Sequence, residues 1–420
     1  MPATITFVIW GAYLFSLYFV VFWLLVLLEG GLKEERKRLK RTPLVSVIVP
    51  AYNEEKSIGN TLNSILNLNY PKDKLEILVI NDGSTDNTKG IVERIIKNHP
   101  SFNIQLVNKE NGGKGTALNL GLEKAKGEFF VCLDADSEPE PDCLIKMLPY
   151  FEDGKVATVL PLLKVKNPKK LIEKIQWVEY LINLFYKKLM GHINCVHVSP
   201  GPFSAYRTDI LRKVGGFDEN NLTEDLEITL RLQKYDYRIV QLLNVEVLTK
   251  APNSLKAFYK QRNRWYKGTI LNMINYRKMI FNKKYGDFGL VMMPWVMIAG
   301  FFTVALFFVS LYHFGYIPLK QLISNWNAIN FDLTVYFNTF SWDGVKNFIF
   351  NINYINFSLG VLGLGLAVTS FVWAYHAAGE KLRTNGTYLL PVYVIIYSWF
   401  IATAWTLVLF DLARGKRQKW

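Results

Sequence analysis

Cysteine is scarce in this chain: Cys132, Cys143 and Cys195 are the only three among 420 residues, and they lie far apart. Their spacing matches no zinc-ligand pattern, and an odd number makes a poor disulfide framework. We therefore expect free thiols in a reducing compartment. The glycine-rich loop 111–116 follows neither the Walker A spacing nor the dinucleotide G-x-G-x-x-G pattern. These absences argue against zinc proteins, disulfide-rich secreted domains, P-loop NTPases and dinucleotide enzymes.

Acidic residues are outnumbered, 35 against 49 basic ones, so the net charge is +14. Nucleic acid, anionic lipid and a phosphorylated substrate would all suit such a charge. The basic residues cluster beside apolar runs and form no known nucleic-acid recognition module. We therefore expect no nucleic acid as a partner, and the charge alone does not choose between membrane lipids and a phosphorylated substrate.

Long uncharged runs predict membrane helices. Residues 5–28 carry no charge, and at ~1.5 Å per residue they can cross a ~30 Å hydrocarbon core. A cleaved signal peptide is the alternative, but no basic n-region precedes the run and no cleavage site follows it. The basic residues that come next are Lys33, Arg36, Lys37, Arg38, Lys40 and Arg41. The positive-inside rule places this cluster, and the domain after it, in the cytosol of a multi-pass plasma-membrane protein.

Three further uncharged runs, roughly 288–312, 355–375 and 388–410, bring the expected number of spans to about four. Four spans would put the basic tail outside, which disagrees with the positive-inside rule. That tail contains Arg414, Lys416, Arg417 and Lys419. A re-entrant or fifth membrane segment within 320–354 would restore parity, although Asp343 and Lys346 argue against a plain span. The topology after residue 312 stays open.

Between the first and second runs, the chain alternates between strand-like and helix-like segments. Such alternation predicts an α/β, Rossmann-like domain with a parallel sheet and helices on both faces. Segments 171–190 and 255–282 mix aromatic and basic residues, which suits either interfacial helices or helices packed on the sheet. The predicted divisions are an N-terminal transmembrane helix (1–30), a basic linker (31–42), a catalytic domain (43–250), interfacial helices (251–286), a C-terminal membrane region of about three spans (287–412) and a basic tail (413–420).

Acidic and amide side chains follow three of the predicted strands: Asn53 and Glu54, then Asp82, then Asp134 and Asp136. In parallel α/β sheets, ligands bind beyond the carboxyl ends of the strands. Because side chains alternate along extended chain, both aspartates of the D-A-D element point to the same side. Hard oxygen ligands of this kind suit Mg²⁺ or Mn²⁺ with bound phosphates. Alone, a D-x-D element is weak evidence, since many acidic loops contain one.

Two other elements suggest contacts with a nucleotide. Asp82 could accept a hydrogen bond from a base edge, because Ser84 or Asp86 suffices to cap the following helix. Lys114 ends a glycine-rich loop at the start of a predicted helix, where backbone N–H groups can meet phosphate.

Glu224 and Asp225 open another predicted helix. Acidic residues in a first turn are commonly there only because the helix dipole favours them. The functional alternative is that Asp225 is a general base for an acceptor hydroxyl.

The pentapeptide 261–265 places Gln261, Arg264 and Trp265 on one helix face. Arginine can bind a pyrophosphate bidentately, and an indole can stack on a sugar ring. An aromatic belt with snorkelling basic residues would show the same composition.

Taken in order, seven segments resemble glycosyltransferase family 2, and in particular its membrane-integrated synthases of cellulose, chitin, hyaluronan and poly-N-acetylglucosamine. They are VPAYNEE (49–55), NDGS (81–84), NGGKGTALNLGL (111–122), DAD (134–136), GPFSAYR (201–207), TED (223–225) and QRNRW (261–265). The resemblance covers about residues 43–270. It implies a catalytic domain with the glycosyltransferase-A type of fold.

The resemblance also implies roles for the donor side. Tyr52, Glu54 and Asp82 would hold the uridine of a UDP-sugar. Asp134 and Asp136 would bind the diphosphate and a divalent metal.

The remaining implied roles concern the diphosphate and the acceptor. Lys114 belongs to the implied donor site, and Gln261 and Arg264 would contact the pyrophosphate. Asp225, beside Glu224, would be the catalytic base of an inverting displacement, and Trp265 would bind the acceptor sugar.

Three functions remain open at this stage. A processive synthase would extend and export a β-linked polymer from UDP-N-acetylglucosamine or UDP-glucose, as a monomer or a homo-oligomer. A lipid-carrier enzyme would add one sugar to a polyprenyl or dolichyl phosphate. A non-catalytic membrane scaffold or transporter is the third, and the intact carboxylates at Asp134, Asp136 and Asp225 argue against it.

Overall fold

The structure is a computed structural model that describes residues 3–34, 37–328, 354–382 and 387–415. The strands are β1 Val45–Ala51, β2 Leu75–Asp82, β3 Asn103–Lys109, β4 Phe129–Cys132, β5 Glu138–Pro139, β6 Val156–Val165, β7 Ser204–Arg207 and β8 Arg238–Thr249. The α-helices before the membrane region are α1 Ala3–Leu28, α2 Ile58–Leu66, α3 Thr88–Asn98, α4 Lys114–Lys124, α5 Cys143–Met147, α6 Leu171–His192, α7 Thr208–Lys213, α8 Glu224–Lys234 and α9 Leu255–Asn275. The α-helices of the C-terminal membrane region are α10 Met293–Ser310, α11 Ile317–Ala328, α12 Tyr354–Ala377 and α13 Ser398–Ala413.

The strands form one mixed sheet in the order β3-β2-β1-β4-β7-β6-β8-β5. The predicted parallel pairing is confirmed for the first four strands. In the other half the pairing is mixed: β6 and β8 are parallel, whereas β7 runs antiparallel to both β4 and β6, and β5 runs antiparallel to β8. Ser204 at the start of β7 pairs with Cys132 at the end of β4. The chain therefore enters β7 from the carboxyl-end edge of the sheet, and the preceding loop lies at that edge.

The sheet is covered on both faces because its apolar residues alternate. Val45, Val47 and Val49 of β1 pack with α2, α3 and α5 in one core. Ile48 between them packs with α4, α7 and α8 in the other. Full burial of such a side chain contributes ~1.5–3 kcal/mol, so the two faces hold the strand ends firmly in place.

Helix α6 packs on the sheet and also contacts the apolar helices. Its apolar side chains lie against β6 and β8. Trp177 makes an edge-on contact with Tyr375 of α12, and Tyr186 with Trp23 of α1, at ring-centroid distances of 5.4 and 6.0 Å. Packing on the sheet is therefore confirmed for segment 171–190, and its position at a membrane interface stays a prediction.

Four helices in the described part of the chain are long and apolar enough to cross a membrane: Thr4–Leu28, Phe288–Ser324, Gly360–Ala377 and Val392–Ala413. This agrees with the expected number of about four. The second is longer than expected, because helix continues through most of 288–328. Most of the proposed re-entrant segment, 329–353, and the tail residues 416–420 lie outside the described residues.

The last of these helices runs alongside α9. Near its start, the ring of Tyr397 lies 6.1 Å from that of Phe258. Near its end, the carboxylate of Asp411 lies 3.8 Å from the Lys267 ammonium and 3.5 Å from the Asn263 amide. Both ends of the helix therefore contact α9, the helix that contains the Q-R-N-R-W segment.

Candidate active site

The acidic residues predicted at strand ends come together at one edge of the sheet. Strand β1 pairs in parallel with β2 on one side and β4 on the other, and Ala51 pairs with Asn81. The turn 52–54, Asp82 and the loop 133–136 are therefore neighbours. Thr61 of α2 donates a buried hydrogen bond of 2.9 Å to the Ala135 carbonyl, which anchors the D-A-D loop between its two aspartates.

Asp82 holds the glycine-rich loop. Its carboxylate accepts hydrogen bonds from the backbone N–H groups of Gly112 and Gly113, at 3.0 and 2.8 Å, and pairs with the Lys109 ammonium at 2.5 Å. Gly83 has φ of +74°, and a Cβ there would lie 2.8 Å from the Asn111 nitrogen, so this turn requires glycine. Asp82 thus holds the glycine-rich loop in place. Its ion-pair partner Lys109 lies outside the motifs found in the sequence.

Lys114 lies among carboxylates. Its ammonium is 2.5 Å from the Asp134 carboxylate and 3.4 Å from that of Glu224, which lies on α8. Burial lowers the pKa of Lys114, but Asp134 and Glu224 outweigh that effect and raise it. The lysine is therefore a fixed positive charge that joins the D-A-D loop to α8.

Asp136 is crowded by other acids. Burial, together with the charges of Asp134 and Glu54, raises its pKa to about 6, although a hydrogen bond from Ser137 opposes the shift. A carboxylate in such surroundings gains from a nearby cation. Among the described residues, no group of three or more His, Cys, Asp or Glu side chains could hold a metal by itself. Mg²⁺ commonly takes one or two carboxylates and completes its shell with phosphates and water, so the Asp134 and Asp136 pair fits such an ion.

Glu224 and Asp225 begin α8 and differ in burial. Glu224 is 2% exposed, and burial raises its pKa against the opposing charge of Lys114. Asp225 is half-buried, and its carboxylate accepts a 2.8 Å hydrogen bond from the Leu226 N–H. Burial lowers the pKa of Lys187, on α6, to about 8, and the negative charge of Asp225 opposes this shift.

The Q-R-N-R-W segment lies within α9, as predicted. Arg264 donates to the Leu222 carbonyl at 3.3 Å, and its charge acts on Glu224. Gln261 accepts a 3.2 Å hydrogen bond from Gln176 of α6. Arg264 and Lys114 thus act on the same Glu224 carboxylate, so the glycine-rich loop, α8 and α9 come together around it. The region between these elements is called the cleft below.

Residues 46–215 match the family model described as glycosyl transferase family 2. The chain contains a glycosyltransferase family 2 domain. Strands β1 to β4, the D-A-D loop and β7 lie within the matched range, whereas Glu224, Asp225 and α9 follow it.

Relatives and a solved structure agree with this assignment. The chain is 32% identical over 262 residues to a probable glycosyltransferase, YdaM, of Bacillus subtilis, and 33% identical over 229 residues to poly-beta-1,6-N-acetyl-D-glucosamine synthase of Staphylococcus epidermidis. These matches cover 61% and 53% of this chain, and 62% and 54% of the relatives. The chain thus matches little more than half the length of either relative.

The fold also resembles a solved mannosyltransferase from Pyrobaculum calidifontis, in complex with GDP-Man and Mn²⁺. The TM-score is 0.60 and the identity 21%, over 90% of this chain and 97% of the other. At this identity the likeness concerns the fold alone. It agrees with the predicted glycosyltransferase-A type of architecture.

Some residues of the candidate site had no role predicted from the sequence. Gly201, from the loop before β7, approaches so closely that a Cβ there would lie 2.9 Å from an Asp134 oxygen and would also meet the Lys114 ammonium. His197 lies just before that loop, and burial together with the Lys187 charge lowers its pKa to about 4. Tyr52, by contrast, is 49% exposed, in the turn that follows β1. Gly201 lies within the GPFSAYR segment, so the sequence singled out this loop. The contacts of Gly201 with Asp134 and Lys114 could not be predicted from the motif.

Proposed function

We propose that the protein is a membrane glycosyltransferase that transfers a sugar from a UDP-sugar to a growing β-linked polysaccharide. The observation that carries the proposal is the cleft in which Lys114 contacts both Asp134 and Glu224. There the strand-end acids of a family 2 domain meet the acids that begin α8. UDP-N-acetylglucosamine and UDP-glucose are the favoured donors, and the name of the staphylococcal relative favours the former.

On the donor side, Tyr52, Glu54 and Asp82 would hold the uridine. The loop that Asp82 holds through two backbone N–H groups would shape this part of the pocket. A fixed loop lowers the entropic loss on binding, so its rigidity would favour donor affinity.

The diphosphate would lie over the D-A-D loop. Asp134 and Asp136 would hold Mg²⁺ or Mn²⁺ together with the phosphates, and the ion when bound would stabilise the negative charge of the departing UDP. Lys114, Gln261 and Arg264 would contact the diphosphate oxygens. Its phosphates would compete with Asp134 for the Lys114 ammonium.

Asp225 would act as the general base. Its carboxylate would take the proton of an acceptor hydroxyl as that oxygen attacks the anomeric carbon. The bond from that carbon to the diphosphate breaks on the opposite side, and UDP leaves with the electron pair, so the configuration inverts. Glu224, paired with Lys114, would keep α8 aligned with the donor, and Trp265 would stack on the acceptor sugar.

The acceptor side is close to the membrane helices, because α9 packs along α13. We infer that the catalytic domain is cytosolic, in a multi-pass protein of the plasma membrane. Because α13 contacts α9 near both of its ends, α13 would lie along the domain's side of the membrane, and Arg414 after it would be cytosolic, in agreement with the positive-inside rule. In this arrangement α1, α10 and α12 cross the bilayer. The helix α13 does not have to cross it for the basic tail to be cytosolic. A homo-oligomer is compatible with the proposal.

The test uses the full chain in liposomes with Mg²⁺ or Mn²⁺ and a panel of radiolabelled UDP-sugars. Long, carrier-free products from one donor, located inside the vesicles when the domain faces out, are expected. Label confined to a lipid-extractable monosaccharide would refute polymer synthesis and favour transfer to a polyprenyl or dolichyl phosphate. Absence of transfer with every donor and both metals would refute the enzyme and favour a scaffold or transporter.

A further inference from the structure

Arg262 lies inside the motif of α9, yet its side chain is only 1% exposed and is among the largest that are fully buried. Burying an isolated guanidinium is strongly unfavourable, so the charge requires a partner. That partner is Glu179 of α6, which forms a hydrogen-bonded ion pair with it. Burial raises the pKa of Glu179 and the arginine opposes the shift. One turn earlier, Gln176 donates to Gln261, so two contacts join the same pair of helices.

The guanidinium also lies against aromatic rings. Its central carbon is 4.2 Å from the ring centroid of Trp265 and 4.6 Å from that of Phe258. These residues stand at i+3 and i−4 from Arg262, so all three share a face of α9. A planar guanidinium stacks on such rings, which a lysine ammonium on its flexible chain cannot do in the same way. Trp265 therefore has a flat neighbour that is anchored to another helix.

Stability alone does not explain the buried ion pair between Arg262 and Glu179. Buried ion pairs can often be replaced by well-packed apolar residues without loss of stability. The Nε atom of Arg262 has no hydrogen-bond partner among the described residues, so the pair is not even fully satisfied. What the pair supplies beyond packing is orientation: Glu179 fixes the guanidinium, and the guanidinium faces Trp265.

We propose that Arg262, held by Glu179, is a positioning residue that fixes the ring of Trp265 for stacking on the acceptor sugar. The proposal rests on the proposed function, in which Trp265 binds the acceptor. It predicts effects on acceptor use and product length, with little effect on the donor.

The test is a double-mutant cycle in the reconstituted full chain: wild type, Arg262→Lys, Trp265→Ala and the double variant. Arg262→Lys should lower transfer about tenfold and shorten the products, while the donor KM stays within about twofold. In the Trp265→Ala background, Arg262→Lys should have no further effect, because the residue acts through the missing ring. Arg277→Lys, an exposed arginine just after α9, is the matched control.

An equal loss with and without Trp265, or a donor KM that rises in step with the loss of transfer, would overturn the proposal. Glu179→Gln keeps a hydrogen-bond acceptor and removes the charge, so it repeats the cycle should Arg262→Lys fold poorly, with thermal unfolding in detergent as the check. An inactive wild-type protein would instead refute the proposed function itself. The two failures are therefore distinguishable.

Discussion

The two halves of the cleft hold their acidic residues in different ways. In the donor half, Asp82 ends a parallel strand and is bound by backbone N–H groups and a lysine from the neighbouring loop. In the acceptor half, Asp225 lies in the first turn of α8, and its charge acts on Lys187, a side chain of α6. Local chain geometry therefore builds the first half, whereas packing between distant helices builds the second. Substitutions in the two halves should separate donor binding from turnover.

The largest effect is expected for Asp225→Asn. An amide cannot take the acceptor proton, so turnover should fall by about 10² to 10⁴, the usual contribution of a general base. The donor KM should change little, since the donor half is untouched. Sugar transfer and UDP release, measured against donor concentration, give both quantities.

The matched control is Asp209→Asn, an exposed aspartate in the first turn of α7, which should leave turnover unchanged. Equal losses in both variants would point to helix stability instead of base catalysis. A donor KM that rises as turnover falls in Asp225→Asn would show that the donor and acceptor halves do not act separately.

A smaller effect is expected for Asp82→Asn, and it should change donor binding more than turnover. The new amide can accept from one of the Gly112 and Gly113 N–H groups but must turn its own N–H₂ toward the other, and the charge opposite Lys109 is lost. Losing charge-assisted hydrogen bonds of ~1.5–3 kcal/mol should raise the donor KM about tenfold or more. Turnover at saturating donor should change less, because Asp225 is unaffected.

Asp73→Asn, an exposed aspartate on the same domain, is the control. Binding of UDP, followed by calorimetry with and without Mn²⁺, gives an independent measure of the donor half. A fall in turnover at constant donor KM in Asp82→Asn would contradict the view that Asp82 serves donor binding through the glycine-rich loop.

The same contrast explains what could be predicted from sequence. Strand ends carry their own signal, since an apolar run followed by Asp82 or by Asp134 and Asp136 places those acids at one edge of a parallel sheet. The order of the motifs then supplied the family. The antiparallel β7 gave no such signal, because its four residues look like any short strand.

Contacts between distant elements were beyond reach for a physical reason. Helical spacing placed Gln261, Arg264 and Trp265 on one face, but it carried no information on which helix would cover Arg262. Its partner Glu179 lies 83 residues away and depends on how α6 and α9 pack. Charge pairing of this kind follows from tertiary structure alone.

The effect expected to be smallest at neutral pH concerns the dependence of protein stability on pH. His197 is neutral in the folded protein down to about pH 4, because burial and the Lys187 charge lower its pKa from the usual value near 6.5. The unfolded chain binds a proton below about pH 6.5 that the folded chain does not, so stability should fall as pH drops through that window. One such proton contributes at most about 1.4 kcal/mol per pH unit.

His197→Gln should remove this contribution. The difference in thermal midpoint between wild type and variant, measured in detergent from pH 7 to pH 4, should therefore shift in favour of the variant as the pH falls. His192→Gln, at the exposed end of α6, is the matched control. A difference that stays constant across the range would show that His197 is as solvated as in the unfolded chain. The acceptor half would then be open to water even without a substrate, and the low pKa of Lys187 beside Asp225 would lose its physical basis as well.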